Sequence, residues 1–249
     1  MKATFLFLSL LLCSTLGAQG SNKTDIQQPE LSEELIQRRK IDQQLRNKWI
    51  KMIGKGKTEG KKYEDLTTQL LDTDHENTNR MREIVAEYGW PTHAMVGRSA
   101  SNAAWILVQH ADRQPDFQAE CLVLLQAAYE AGEADADNYA YLHDRVKRSR
   151  GERQRYATQS VKNAVTGESS FGGLEDEARV QTNRTAMNID RPVTEYAASM
   201  GFDYTVPTPT EAEARARAAK EAFTGFVEKA RAAMATEDYV AASENYQQA

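Results

Sequence analysis

The sequence predicts an all-α protein: a helical bundle or irregular helical array with a C-terminal helical hairpin. Three observations carry that prediction. Apolar residues recur at helical spacing in nearly every segment, and no run alternates with period two for long enough to suggest a sheet. Glycine or proline punctuates the periodic segments at Gly89, Pro91, Pro115, Gly132 and Gly151, where helices stop or start.

The first twenty residues, MKATFLFLSLLLCSTLGAQG, precede these helices and read as an export signal. One lysine leads an apolar run from Phe5 to Leu12, and small residues follow. The run is too short to span a bilayer, and no later segment is apolar enough to try. A secreted or periplasmic location follows as the expectation. Cys13 is preceded by Leu12 rather than a small residue, which disfavours a lipid anchor. Removal of the signal leaves Cys121, which lies at core spacing and reads as a small buried apolar residue.

The first mature helix is expected from about Leu31 to Ile53, ending at the glycines of GKGKTEGKK. A second runs from about Tyr63 to Tyr88. The third, SASNAAWILVQHAD, is apolar on nearly all sides and belongs at the centre of a bundle. Pro115 suits the first turn of the fourth, which places Phe117, Cys121, Leu124, Leu125 and Ala128 on one face. The fifth starts near Asp137 and ends at Gly151. Polar, glycine-bearing text from Gly151 to Gly173 predicts a long ordered loop or flap, and short helices follow near 175–187 and 193–198.

Two prolines in TVPTPTEAEARARAAKEAF mark the best domain boundary, dividing a main helical domain of residues 21–204 from a linker and hairpin of residues 205–249. Phe226, Ala230, Asp238, Tyr239, Ala242, Tyr246 and Ala249 fall at the spacings of one tetratricopeptide-like unit. A plain amphipathic hairpin fits the same residues. One unit cannot bury its face alone, so it is expected to dock on the main domain, to cap a protein partner, or to be the start of a longer array.

The full chain carries a net charge of −5, and loss of the signal leaves 30 basic against 36 acidic residues. An acidic chain without a dominant basic face is a poor candidate for nucleic acid. The basic clusters IGKGKTEGKK and RVKRSRGERQR read as solvated helix ends.

Chemistry concentrates where polar residues interrupt apolar stripes. Arg38 and Asp42 interrupt the stripe of Leu31, Leu35, Leu45, Trp49 and Met52, and are spaced to pair with each other. Asp74 and Asn77 interrupt the next helix between Leu70 and Met81. If both stripes are buried, the interruptions make a polar pocket inside the bundle; otherwise both face solvent. Gln109, His110 and Asp112 end the central helix. His110 with a nearby carboxylate is the arrangement of a general base. His143 and Asp144 diverge by about 100° on a helix, so they are not expected to serve one point. A metal site from His110, Asp112, His143 and Asp144 is conceivable, but the H-x-D spacing alone is weak evidence for it, and neither a metal nor a cofactor is expected. Arg145 is a candidate anion fork. Gln154, Tyr156, Thr158 and Gln159 place four hydrogen-bonding side chains at the start of the flap.

GWP at 89–91, Gly97, QHAD at 109–112, Gln118, AYLHDRV at 140–146 and QRYATQ at 154–159 together resemble an uncharacterised bacterial domain family found behind export signals. The resemblance covers roughly Leu31 to Met200. It implies an all-helical domain in which Asp42, Gln43, Arg46, Gln109, His110, Asp112, Asp144, Arg145, Gln154, Tyr156 and Gln159 are the characteristic polar positions. His143 is not among them. The family's last motif reads Q-x-Y-G-T-Q, and Ala157 stands here in place of its glycine.

Three functions compete. The first is a binding module for a small polar or anionic ligand, held by Arg145, Gln109, Gln154, Tyr156 and Gln159 with Asp42 and Arg46. The second is a hydrolase-like enzyme with His110 as general base, oriented by Asp112 or Asp144. No G-x-S-x-G or H-E-x-x-H motif is present, so such an enzyme would act through water. The third is a scaffold acting through residues 205–249.

Overall fold

The computed structural model describes residues 26–235, except Val165. The proposed signal and the second limb of the C-terminal hairpin lie outside those residues. Among the described residues the chain forms nine helices and one two-stranded sheet. None of these helices is long and apolar enough to cross a membrane.

Two long helices, α1 (Pro29–Ile53) and α2 (Lys61–Tyr88), pack along each other. After the short α3 (His93–Val96) comes α4 (Arg98–Gln109), which touches α1, α2, α3, α5 (Pro115–Glu130) and α6 (Ala136–Ser149). Its all-round apolarity is why it sits at the centre: Ala100, Ala103, Ala104, Leu107 and Val108 are all enclosed. Leu35, Met81, Ile84, Phe117, Cys121, Leu125 and Leu142 complete that core. Burial pushes the Cys121 thiol up to about 12, so it stays protonated and packs as a small apolar group.

The central helix ends at Gln109, not at Asp112. His110 is its C-cap, and the Gln118 side-chain amide donates to the carbonyls of Val108 and Gln109 at 3.1 and 3.2 Å. Those bonds satisfy acceptors that the last helical turn leaves open.

The stripe of α1 is buried at Leu31, Leu35, Asp42 and Leu45, so its acidic interruption is inside the protein. Arg38 does not pair with Asp42. Its Nε donates to Glu34 at 2.7 Å, and Arg80 of α2 donates to the same carboxylate through Nε and Nη2, each at 2.9 Å. Arg80, opposed by burial and assisted by Arg38, holds the Glu34 carboxyl at about 2. A lowered carboxyl stabilises the fold fully above its ordinary value of 4.5, and the contribution is lost as pH falls towards 2. With Glu34 about 30% exposed, solvent screening reduces the full linkage value to about 1–2 kcal/mol. Glu34→Gln should therefore lose that amount in urea unfolding near pH 7 and very little near pH 2; equal losses at both would refute the assignment.

The expected flap is an ordered segment with its own small core. It includes an antiparallel pair, β1 (Val161–Lys162) with β2 (Ser169–Ser170), too short for alternation to betray it in the sequence. Gly172 has φ +68° and lies where a Cβ would approach Val161 to 3.1 Å, so the return of the hairpin requires glycine there. Phe171 and Leu174 pack with α7 (Val180–Ala186) and α8 (Val193–Ser199). The alanine-rich α9 (Pro209–Ala235) follows as one continuous helix, linked to the body by Arg215 and Glu177 at 3.0 Å.

Candidate functional site

Helix α1 delivers Asp42 and Arg46, α2 delivers Asp74, and the C-cap of α4 delivers His110 to the same point. Asp42 is fully enclosed, Asp74 and His110 are partly exposed, and Arg46 lies among all three. Arg46 Nε is 3.1 Å from Asp42 Oδ1 and 2.9 Å from His110 Nδ1, while its Nη2 bonds Asp74. His110 Nδ1 is 3.0 Å from Asp42 Oδ1, and Gln43 Nε2 donates to the other Asp42 oxygen at 2.8 Å. Burial pushes the Asp42 carboxyl up, but His110 and Arg46 outweigh it and hold the group below its ordinary value. At Asp74 the balance is reversed: burial dominates over Arg46 and raises that carboxyl.

His110 also lines a cleft of about 440 Å³ between α1, α4, α6, residues 158–160 and α8. Gln43, Gln109, His110, Arg145, Arg148, Thr158 and Gln159 supply its polar wall, and Trp105, Tyr141 and Tyr196 its aromatic one. No carboxylate lines it. Arg145 is fixed by Gln109 Oε1 and by Asp112 at 2.6 Å, and Arg148 by the Ser160 carbonyl at 3.0 Å. Gln109 Nε2 and Trp105 Nε1 are buried and have no acceptor among the described residues.

The segment forming the cleft's far edge is fastened by Asp144. This fully buried carboxylate accepts from the backbone N–H of Arg155 (2.9 Å), Tyr156 (3.1 Å) and Thr158 (3.0 Å) and from the Thr158 hydroxyl (3.1 Å). His143 Nδ1 adds a contact at 3.1 Å, so the two neighbours do serve one point. The imidazole folds back between the rings of Tyr139 and Tyr156, which the angular separation of their Cβ atoms did not foretell. Ala157 keeps the left-handed conformation that the missing glycine implied, at φ +50°. The strain is held in place by Asp144 on both sides and by buried Arg184, whose Nη1 donates to the Tyr156 and Ala157 carbonyls.

Of the residues singled out in the sequence, Gln43, Gln109, His110, Arg145, Thr158 and Gln159 share the cleft, and Asp42 and Arg46 contact His110. Asp112 is largely exposed and pairs with Arg145 and Gln118, so the carboxylate against His110 is Asp42 rather than Asp112 or Asp144. Gln154 is buried and cross-ties the segment, donating to the carbonyls of Gln159 and Phe171. Tyr156 is buried too, and burial pushes its hydroxyl up to about 12. Asp74 and Asn77, expected together in the polar pocket, part company: Asp74 bonds Arg46 in the ion cluster, while Asn77 accepts from Arg38 at 3.3 Å. Arg148 was missed inside a basic cluster, although its spacing of three from Arg145 places both on one helix face.

Residues 29–206, which hold every residue of the cleft and of the ion cluster, match the model of a family of unknown function, DUF6624. No curated protein and no solved structure matches the chain.

Proposed function

The chain belongs to the DUF6624 family of unknown function, and from the geometry of its cleft we propose that it binds a small anion there. The observation that carries this is the imbalance of the wall: two guanidinium groups and a histidine line it, without a carboxylate among them. Arg145 is pre-aimed by Gln109 and Asp112, which reduces the rotamer entropy lost on binding. An acceptor from the ligand would also meet the unpaired Gln109 amide. The aromatic wall suits an apolar portion of the same molecule. The leader read as an export signal supports placing this binding outside the cytoplasm.

A second reading, hydrolysis through water, is favoured by the His110–Asp42 contact. Asp42 lies against Nδ1, and Nε2 has no hydrogen-bond partner among the described residues, which would leave the imidazole a ring nitrogen for proton transfer.

Citrate, benzoate and inorganic phosphate are the probes. NMR titration of the full chain should shift the amides of Gln109, Arg145 and Gln159 with at least one of them, and Arg145→Gln or Arg148→Gln should each weaken it by about tenfold or more. No shift with any of the three at millimolar concentration, or shifts indifferent to both substitutions, would refute the proposal.

A further inference from the structure

The polar cluster around His110 has a feature that anion binding does not use. Asp42 of α1, Asp74 of α2 and His110 at the end of α4 each offer one ligand atom, and these atoms lie within 4.8 Å of one another. All three face a cation already, the Arg46 guanidinium. We propose that Asp42, Asp74 and His110 form a binding site for one first-row divalent metal ion, zinc or manganese, which displaces Arg46.

The first argument is geometric. Arg46 Nε, His110 Nδ1 and Asp42 Oδ1 make a triangle with sides of 2.9 to 3.1 Å. If Nδ1 is unprotonated it accepts from Arg46 but points its lone pair at a carboxylate oxygen. If Nδ1 is protonated it donates to Asp42 but meets the Arg46 N–H. One side of the triangle is repulsive in either state. A metal ion removes the conflict, because both lone pairs and that of Asp74 then point at one centre.

The second argument is charge. Two carboxylates and one guanidinium leave a net negative charge when the imidazole is neutral, with Asp42 wholly enclosed. A divalent ion in place of the guanidinium neutralises the pair. Arg46 is not sealed in the core, since its side chain is 22% exposed. Ligand distances of about 2.0–2.2 Å bring neighbouring donor atoms to about 3.4 Å, so the cluster closes mainly by turning the partly exposed Asp74. One imidazole with two carboxylates suits zinc or manganese, whereas calcium and magnesium favour all-oxygen sets. Arg145 and Arg148, which carry the anion proposal, take no part in the ion site, so the two proposals are tested by different substitutions.

The test uses untagged full-length protein loaded with zinc or manganese chloride, with metal content measured after gel filtration and affinity by calorimetry. One ion per chain is expected. Asp74→Asn and His110→Ala should each weaken binding by about tenfold or more, while Arg46→Gln, which removes the competing cation, should tighten it by about tenfold. Absence of stoichiometric uptake in both wild type and Arg46→Gln overturns the proposal, as does uptake indifferent to Asp74→Asn and His110→Ala. Should the ligand variants fail to fold, electron spin echo spectra of the wild-type manganese complex decide: one coordinated imidazole nitrogen is expected, and none overturns the site.

Discussion

Asp144→Ala should destabilise the protein by about 3–5 kcal/mol and release the segment from Arg155 to Gln159. The side chain is fully buried and receives three backbone N–H groups, the Thr158 hydroxyl and His143. Alanine would leave those donors without acceptors in a place water does not reach, and each orphaned donor carries a desolvation cost. The left-handed Ala157 makes the loss cooperative, because the bonds to Asp144 on both sides of it hold a conformation that alanine alone disfavours. Urea unfolding measures the first effect. Hydrogen exchange at residues 155, 156 and 158 measures the second, and protection there equal to wild type would refute the anchoring role. Because Thr158 and Gln159 form the cleft's edge, the same variant should also lose anion binding.

The helices were legible because their signals are local. Pro115 in a first turn and Gly89 after a last turn act within a few residues, and the apolarity of α4 required a central position whatever its neighbours were. The two-residue strands carry no readable period, and the end of α4 depends on Gln118 from the next helix. The site was legible one residue at a time but not in its pairings. Asp112 stood two residues from His110, and the sequence could not show that α1 would bring Asp42 to the same imidazole from 68 positions away. Adjacency misled at His143 for a related reason: Cβ directions set where side chains start, while rotamers and the Tyr139 and Tyr156 rings set where the imidazole ends. Interrupted stripes proved the more transferable signal, since Asp42 and Asp74 both interrupt one and both reach the cluster.

Those two aspartates should respond oppositely to the same substitution. In chelator-treated protein near neutral pH, Asp42→Asn should lose about 2–3 kcal/mol, whereas Asp74→Asn should be neutral or slightly stabilising. The sign follows from each carboxyl's displacement. Burial opposes ionised Asp42, yet His110, Arg46 and Gln43 more than offset it, so its folded pKa lies below the ordinary 3.8. Its stabilisation is complete above that value and is lost as pH falls through the lowered one. Burial of Asp74 outweighs Arg46, so its folded pKa lies above 3.8, and the folded protein takes up that proton before the unfolded chain does. Acidification through that range therefore relieves a cost carried at neutral pH, and asparagine relieves it at any pH. The Asp42→Asn deficit should shrink below the ordinary carboxylate range, and the Asp74→Asn difference should vanish there. Urea unfolding of both variants at several pH values tests this directly: equal losses near neutral pH would mean that the two carboxylates share one environment, contrary to the enclosure of Asp42 and the partial exposure of Asp74.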